Sequence, residues 1–98
     1  MEIAMKIAKA GRHMTFQRTI APGTIQSGLT VTYEYEVAGA RLGDVVNASI
    51  EQDLQGCLLS GYVDAVDSVI ISITNLTGCE KTFEPGRINI AVESFTTP

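Results

Sequence analysis

Alternation with a period of two dominates the chain. From Leu29 to Val37, the residues Leu29, Val31, Tyr33, Tyr35 and Val37 fall on one side, and Thr30, Thr32, Glu34 and Glu36 on the other. A strand sends successive side chains to opposite faces, so this pattern predicts one buried row and one wet row. β-branched and aromatic residues fill it, and both suit a pleated, half-buried surface. The signature recurs at 14–20, 45–50, 57–63, 69–75 and 87–92. In the segment 14–20, Arg18 falls on the apolar side with Met14, Phe16 and Ile20, which predicts an edge strand. The run from Val69 to Ile73 is apolar on both sides at its start, as expected of a strand covered on both faces or lying at an interface.

Turn signals separate these runs: Pro22-Gly23, Ser27-Gly28, Ala38-Gly39-Ala40 and Gly43-Asp44. Asp64 to Asp67 reads as a four-residue connection that makes a hairpin of 57–63 and 69–75. Residues 51–56 read as a loop or a single helical turn, and Leu76 to Gly86 as mostly loop with a short strand at Lys81–Phe83. Six or seven short strands at close intervals predict an all-β fold, a single antiparallel β-sandwich of jelly-roll or Ig-like type over residues 14–98. Residues 1–13 form a separate N-terminal basic arm in this reading. There Ile3, Met5 and Ile7 alternate like a strand, while Ile3–Ile7 and Ala4–Ala8 also have helical spacing, so the arm takes its structure from its surroundings.

Charge sharpens this division. The 98 residues carry a net charge of −4, which speaks against nucleic acid as a partner because phosphate neutralisation needs clustered Lys and Arg. Residues 1–18 hold Lys6, Lys9, Arg12 and Arg18 against Glu2, whereas residues 19–98 hold three bases against ten acids. A basic segment on an acidic body makes Ile3, Met5, Lys6, Ile7, Lys9 and Arg12 the candidate protein-interaction residues, an apolar strip beside a cationic one. The composition, 45% hydrophobic and 18% charged, is that of a globular chain with part of its surface covered by a partner. A chain this long buries roughly two-thirds of its unfolded surface on folding. No apolar run reaches membrane-spanning length, and the opening MEIAMKIAKAG is too short and too interrupted by charge for a secretion signal. The expectation is a soluble protein made in the cytoplasm, with no membrane partner.

The residues that carry chemistry elsewhere lack the settings they need here. His13 is the single histidine, and acid–base work requires a preorganised pocket and a partner that its place beside the arm does not offer. Cys57 opens an apolar strand and Cys79 precedes Glu80, so neither is primed as a thiolate; whether the two are paired depends on distance, which spacing does not give. Asp64 and Asp67 supply too few oxygens for a Ca²⁺ site and suit a turn instead. Glu34 and Glu36 lie on the polar face of their strand as a solvated pair or a docking surface for the arm. Asn47-Ala-Ser49 and Asn75-Leu-Thr77 match the glycosylation pattern, which matters only in a secreted eukaryotic protein. With no phosphate loop, metal cluster or triad, the chain is expected not to be an enzyme and to hold no cofactor or metal.

From Ala38 onward the order of elements resembles small β-rich virion structural proteins of tailed bacteriophages. The resembling residues are AGARLGD (38–44), LLSGYVDAVDSVIISITNLTG (58–78) and the Gly-led final strand GRINIAV (86–92). The likeness as a whole covers about two-thirds of the chain, and the first 28 residues are not part of it. The resemblance implies a structural role in a phage particle, most directly a capsid decoration (cement) protein that binds the head surface and its own copies. Its implied partners are a homo-oligomer, trimer or dimer, and a phage capsid or tail protein. The alternative is a tail-fibre, head-fibre or spike module that binds a host receptor or carbohydrate. Against a sugar site stands the aromatic supply, which is three Tyr and no Trp. No catalytic residue comes with the resemblance.

Overall fold

The computed structural model describes residues 13–94, which form eight strands and no helix. They are β1 (His13–Ile20), β2 (Gly23–Ile25), β3 (Thr30–Glu36), β4 (Val45–Ile50), β5 (Leu58–Ala65), β6 (Ser68–Thr74), β7 (Lys81–Phe83) and β8 (Gly86–Glu93). Two three-stranded sheets, β1-β8-β4 and β3-β6-β5, are joined by a two-stranded ribbon, β2-β7, and every pairing is antiparallel.

The ribbon is the continuation of another pairing. Ile20 faces Gly86 at the end of β1·β8, and Gly23 faces Phe83 at the start of β2·β7, which is the same register carried across a gap. The gap holds Pro22 and Pro85, which have no N–H to give a ladder. One long ribbon is thus bent where its prolines stand, and its tip folds Ile25 and Phe83 into the core. Glu84, at the bend, gives its N–H to Gln52 Oε1 (3.1 Å) and takes Gln52 Nε2 on its carbonyl (2.7 Å). Gln55 Nε2 donates to the Thr82 carbonyl at 2.9 Å, so the irregular segment 51–56 is tied to β7 by two side-chain amides.

Alternation sorts the core. Val69, Ile71 and Ile73 of β6, and Ile88, Ile90 and Val92 of β8, are fully buried, because each of these strands is the middle one of its sheet. Edge strands bury only half of their apolar rows: Met14 and Phe16 on β1, Val31, Tyr33 and Tyr35 on β3, Val46, Ala48 and Ile50 on β4. The strongest period-two run in the sequence, β3, is therefore an edge and not the centre. Burying one Ile contributes about 1.5–3 kcal/mol, and the two middle strands supply six of the thirteen buried core side chains.

Local readings differ from the structure at two places. Gly23 to Ile25 is a strand where Pro22-Gly23 signals only a turn; pairing with β7 extends the chain there. The β5–β6 connection is two residues, Val66-Asp67, because a bulge between Val63 and Ala65 absorbs Asp64 into β5. Asp67 takes φ 63° at that turn and accepts the Gly39 N–H on Oδ1 at 2.8 Å, pinning the 38–44 loop beside the hairpin. Segment 51–56 is a loop of bends and a turn, the first of its two expected forms. The proposed N-terminal arm lies outside the described residues, except for His13, which opens β1.

Candidate interaction surface

The predicted interaction residues Ile3, Met5, Lys6, Ile7, Lys9 and Arg12 lie outside the described residues. His13 sits opposite Glu93 in the β1·β8 register, with Nδ1 3.9 Å from Glu93 Oε1 in an exposed pair. The described residues carry four Lys or Arg against ten acids, so the body is more acidic than the whole chain.

Where the two three-stranded sheets meet, two seams behave differently. On the β4/β5 side the sheets are pressed together at Gly61: a Cβ there would lie 2.9 Å from Val46 Cγ1 and 2.8 Å from Ile71 Cδ1. On the β1/β3 side, Arg18 acts as a clamp. Its Nη1 donates to the Gln17 carbonyl and its Nη2 to the Glu36 carbonyl, both at 2.9 Å, and the guanidinium lies 5.3 Å from the Phe16 ring centre. Tyr35 adds a second tie, its hydroxyl donating to the Thr19 carbonyl at 3.0 Å. The Arg placed on the apolar side of an edge strand by the sequence pattern is thus explained: its head reaches across the seam while its stem covers apolar surface. Tyr33 and Tyr35 stack with ring centres 6.2 Å apart and, with Pro85 and Ala21, wall a cleft beside this seam. Burial raises both phenol pKa values above 10.0, with the neighbouring Tyr33 adding to the rise at Tyr35.

The outer faces of the sheets also differ. On β1-β8-β4 an amide and charge network runs from Gln17 Nε2 to Asn89 Oδ1 (2.9 Å), from Asn89 Nδ2 to Glu51 Oε2 (3.2 Å), and from Arg87 Nε to Glu51 Oε1 (3.4 Å). Beside it, Thr15, Gln17, Asn47, Ser49 and Asn89 rim a shallow depression floored by Ala91. Among the described residues, the outer face of β3-β6-β5 holds neither Lys nor Arg. Its rows are Thr30–Thr74–Leu58, Thr32–Ser72–Ser60 and Glu34–Ile70–Tyr62, with hydroxyl pairs at 2.8 Å (Thr30 with Thr74) and 3.3 Å (Thr32 with Ser72). Leu58 and Tyr62 are 58% and 57% exposed there. Glu34 is exposed and accepts the Ser68 hydroxyl at 3.0 Å. The period-two pattern placed Thr30, Thr32 and Glu34 on this face, but Tyr62 and Leu58 joined it only through the β5·β6 register.

The remaining candidates resolve into structural roles. Cys57 is buried, Cys79 is exposed, and both are free thiols. Asn75, within the glycosylation pattern, is 0% exposed and has both amide hydrogens engaged, with the Ile25 and Cys79 carbonyls at 2.8 Å each. Its Oδ1 accepts the Thr77 N–H (3.0 Å) and the Thr77 hydroxyl (2.7 Å). The Asn-x-Thr spacing therefore builds a buried polar hub that ties β2, the end of β6 and the 75–79 turn together. Among the described residues no three His, Cys, Asp or Glu side chains converge as a metal site, and no helix is long and apolar enough to cross a membrane. No protein-family model, no curated protein and no solved structure matches this chain.

Proposed function

We propose that this chain is a structural module which works by binding copies of itself and a larger assembly, and that the assembly is a tailed-bacteriophage particle. In this reading the eight strands make one antiparallel sandwich, of jelly-roll or Ig-like type, used as a capsid decoration (cement) protein on the head, made in the host cytoplasm and carried in the virion. The observation that carries it is the outer face of β3-β6-β5, where Leu58 and Tyr62 stand more than half exposed among uncharged Ser and Thr hydroxyls. The hydroxyls and apolar side chains around Leu58 suit protein contact because they carry no charge hydration to lose on burial, while Glu34 and Glu36 leave the β3 side of the face acidic. Lys6, Lys9 and Arg12 would add a cationic contact between acidic bodies, and symmetric copies multiply weak contacts of this kind.

Labelled electron microscopy of purified particles tests the assignment. Label on heads supports the decoration role, label on tails moves the protein to the fibre or spike alternative, and unlabelled particles overturn the virion reading. A Leu58→Lys, Tyr62→Lys double variant is expected to fold as wild type and to lose attachment. A second reading has its own observation: the depression over Ala91 is rimmed by amides and hydroxyls that suit sugar hydroxyls. A glycan screen that finds binding abolished by Asn89→Leu favours the receptor-binding module instead.

A further inference from the structure

Backbone bonds at the two ends of β3 set which way its polar groups point. Asn75 N–H bonds the Leu29 carbonyl (3.0 Å) and Val37 N–H bonds the Asp67 carbonyl (2.9 Å), each pair in line with the β3·β6 register. Antiparallel ladders alternate, so odd-numbered residues of β3 turn their N–H and C=O to β6 and even-numbered residues turn theirs outward. The Glu36 carbonyl, reached by Arg18 from outside, agrees with this phase. Thr30, Thr32 and Glu34 thus present a row of backbone donors and acceptors along the edge that no described strand pairs.

The other edges are obstructed. On β1 the outward Gln17 and Thr19 carbonyls take Arg18 and Tyr35. β4 and β5 are pressed against each other at Val46 and Gly61, and β5 is bulged. Arg18 also takes the Glu36 carbonyl at one end of β3, but from Thr30 to Glu34 the outward backbone groups meet no such side chain among the described residues, and the strand has no proline, no lysine and no bulge; its edge charges are Glu34 and Glu36 alone.

We infer that β3 is a self-pairing edge: two copies of this chain join β3 to β3 antiparallel about a two-fold axis at Tyr33, making one continuous six-stranded sheet. The strand is self-complementary in this register. Thr32 meets the second copy's Glu34 as a hydrogen-bonded pair, using the outward backbone groups of both, and Thr30 meets the second copy's Glu36. Each carboxylate therefore faces a hydroxyl rather than another carboxylate, so the acidic ends do not oppose one another. On the inner side Tyr33 meets its own mate and Val31 meets the second copy's Tyr35, covering the half-buried row beside the Tyr33–Tyr35 cleft. A two-fold interface requires this kind of self-match.

The inference rests on the self-associating role proposed above, and one experiment separates the two. The full chain is examined by sedimentation over a concentration series, with circular dichroism as the folding control. Thr32→Pro removes an outward N–H that β6 does not use, so the fold is expected to persist while the dimer dissociation constant rises about tenfold or more. Thr32→Glu places two carboxylates together and is expected to do the same; adding Glu34→Lys restores opposite charges across the axis and is expected to restore the dimer. A monomeric wild type overturns both the self-associating role and the paired edge. A dimer indifferent to Thr32→Pro overturns the edge alone, as does failure of the charge swap. Loss of the dimer on deleting residues 1–12 alone, with Thr32→Pro silent, assigns the contact to that segment.

Discussion

Asn75→Asp isolates the buried polar hub with almost no change of shape. The wild-type amide donates twice, to the Ile25 and Cys79 carbonyls at 2.8 Å each, and accepts twice from Thr77, all at 0% exposure. The introduced carboxylate keeps the two bonds from Thr77 but turns an oxygen toward two carbonyl oxygens. Two net hydrogen bonds are lost, worth about 1 kcal/mol each, and the buried Ile25 carbonyl loses its amide donor at about 1–3 kcal/mol if nothing relaxes, whereas the Cys79 carbonyl keeps the Thr77 hydroxyl at 3.0 Å. A buried charge lacking a counter-ion costs about 3–5 kcal/mol by itself. Partial relaxation and water entry make these overlap, so the expected loss at neutral pH is about 3–5 kcal/mol. That is a large share of the roughly 5–15 kcal/mol that holds a typical domain. Urea melts followed by circular dichroism measure it. Burial raises the folded-state pKa of the new carboxyl above its unfolded value near about 3.9. The folded variant then binds the proton more tightly than the unfolded one, so its deficit against wild type is full above the folded pKa and shrinks as the pH falls through that value. A loss under about 1 kcal/mol at neutral pH, or a loss that does not shrink on acidification, would refute the hub as the tie between β2 and β6.

Further predictions address the seams, the thiols and the phenols. Gly61→Ala puts a methyl 2.8 Å from Ile71 Cδ1 and 2.9 Å from Val46 Cγ1, so a loss of about 1–3 kcal/mol is expected in the same melts; an unchanged midpoint would mean the β4/β5 seam has room. Thiol titration of the native protein is expected to label Cys79 at once and Cys57 only on unfolding, and rapid labelling of both would contradict the burial of Cys57. Because Tyr33 and Tyr35 have raised folded-state pKa values, their contribution is full below pH 10.0 and is lost as the pH rises through the raised folded values. A urea midpoint that stays constant through alkaline titration would place both phenols in water.

The sequence alone determined the strands other than β2, and their faces. Period-two alternation placed Ile88, Ile90 and Val92 inward and Thr30, Thr32, Glu34 and Glu36 outward, and the structure has them so, because side-chain direction in a strand is a local property. It also marked β1 as an edge through Arg18, since an ion on an apolar row needs a nearby exit. Tertiary structure decided what depends on neighbours. Alternation is strongest in β3 and yet β3 is an edge, because rank within a sheet is set by which strands pair on each side and not by how regular one strand is. β2 exists only because β7 lies beside it in the register of β1·β8. Asn75 read as a glycosylation pattern and proved to be a core hub, since one of its bonds reaches the Ile25 carbonyl of β2, distant in sequence, while the others close its own turn at Thr77 and Cys79. The open row of Thr30, Thr32 and Glu34 was equally illegible: the phase of a hydrogen-bond ladder belongs to a pair of strands, and a single strand does not contain it.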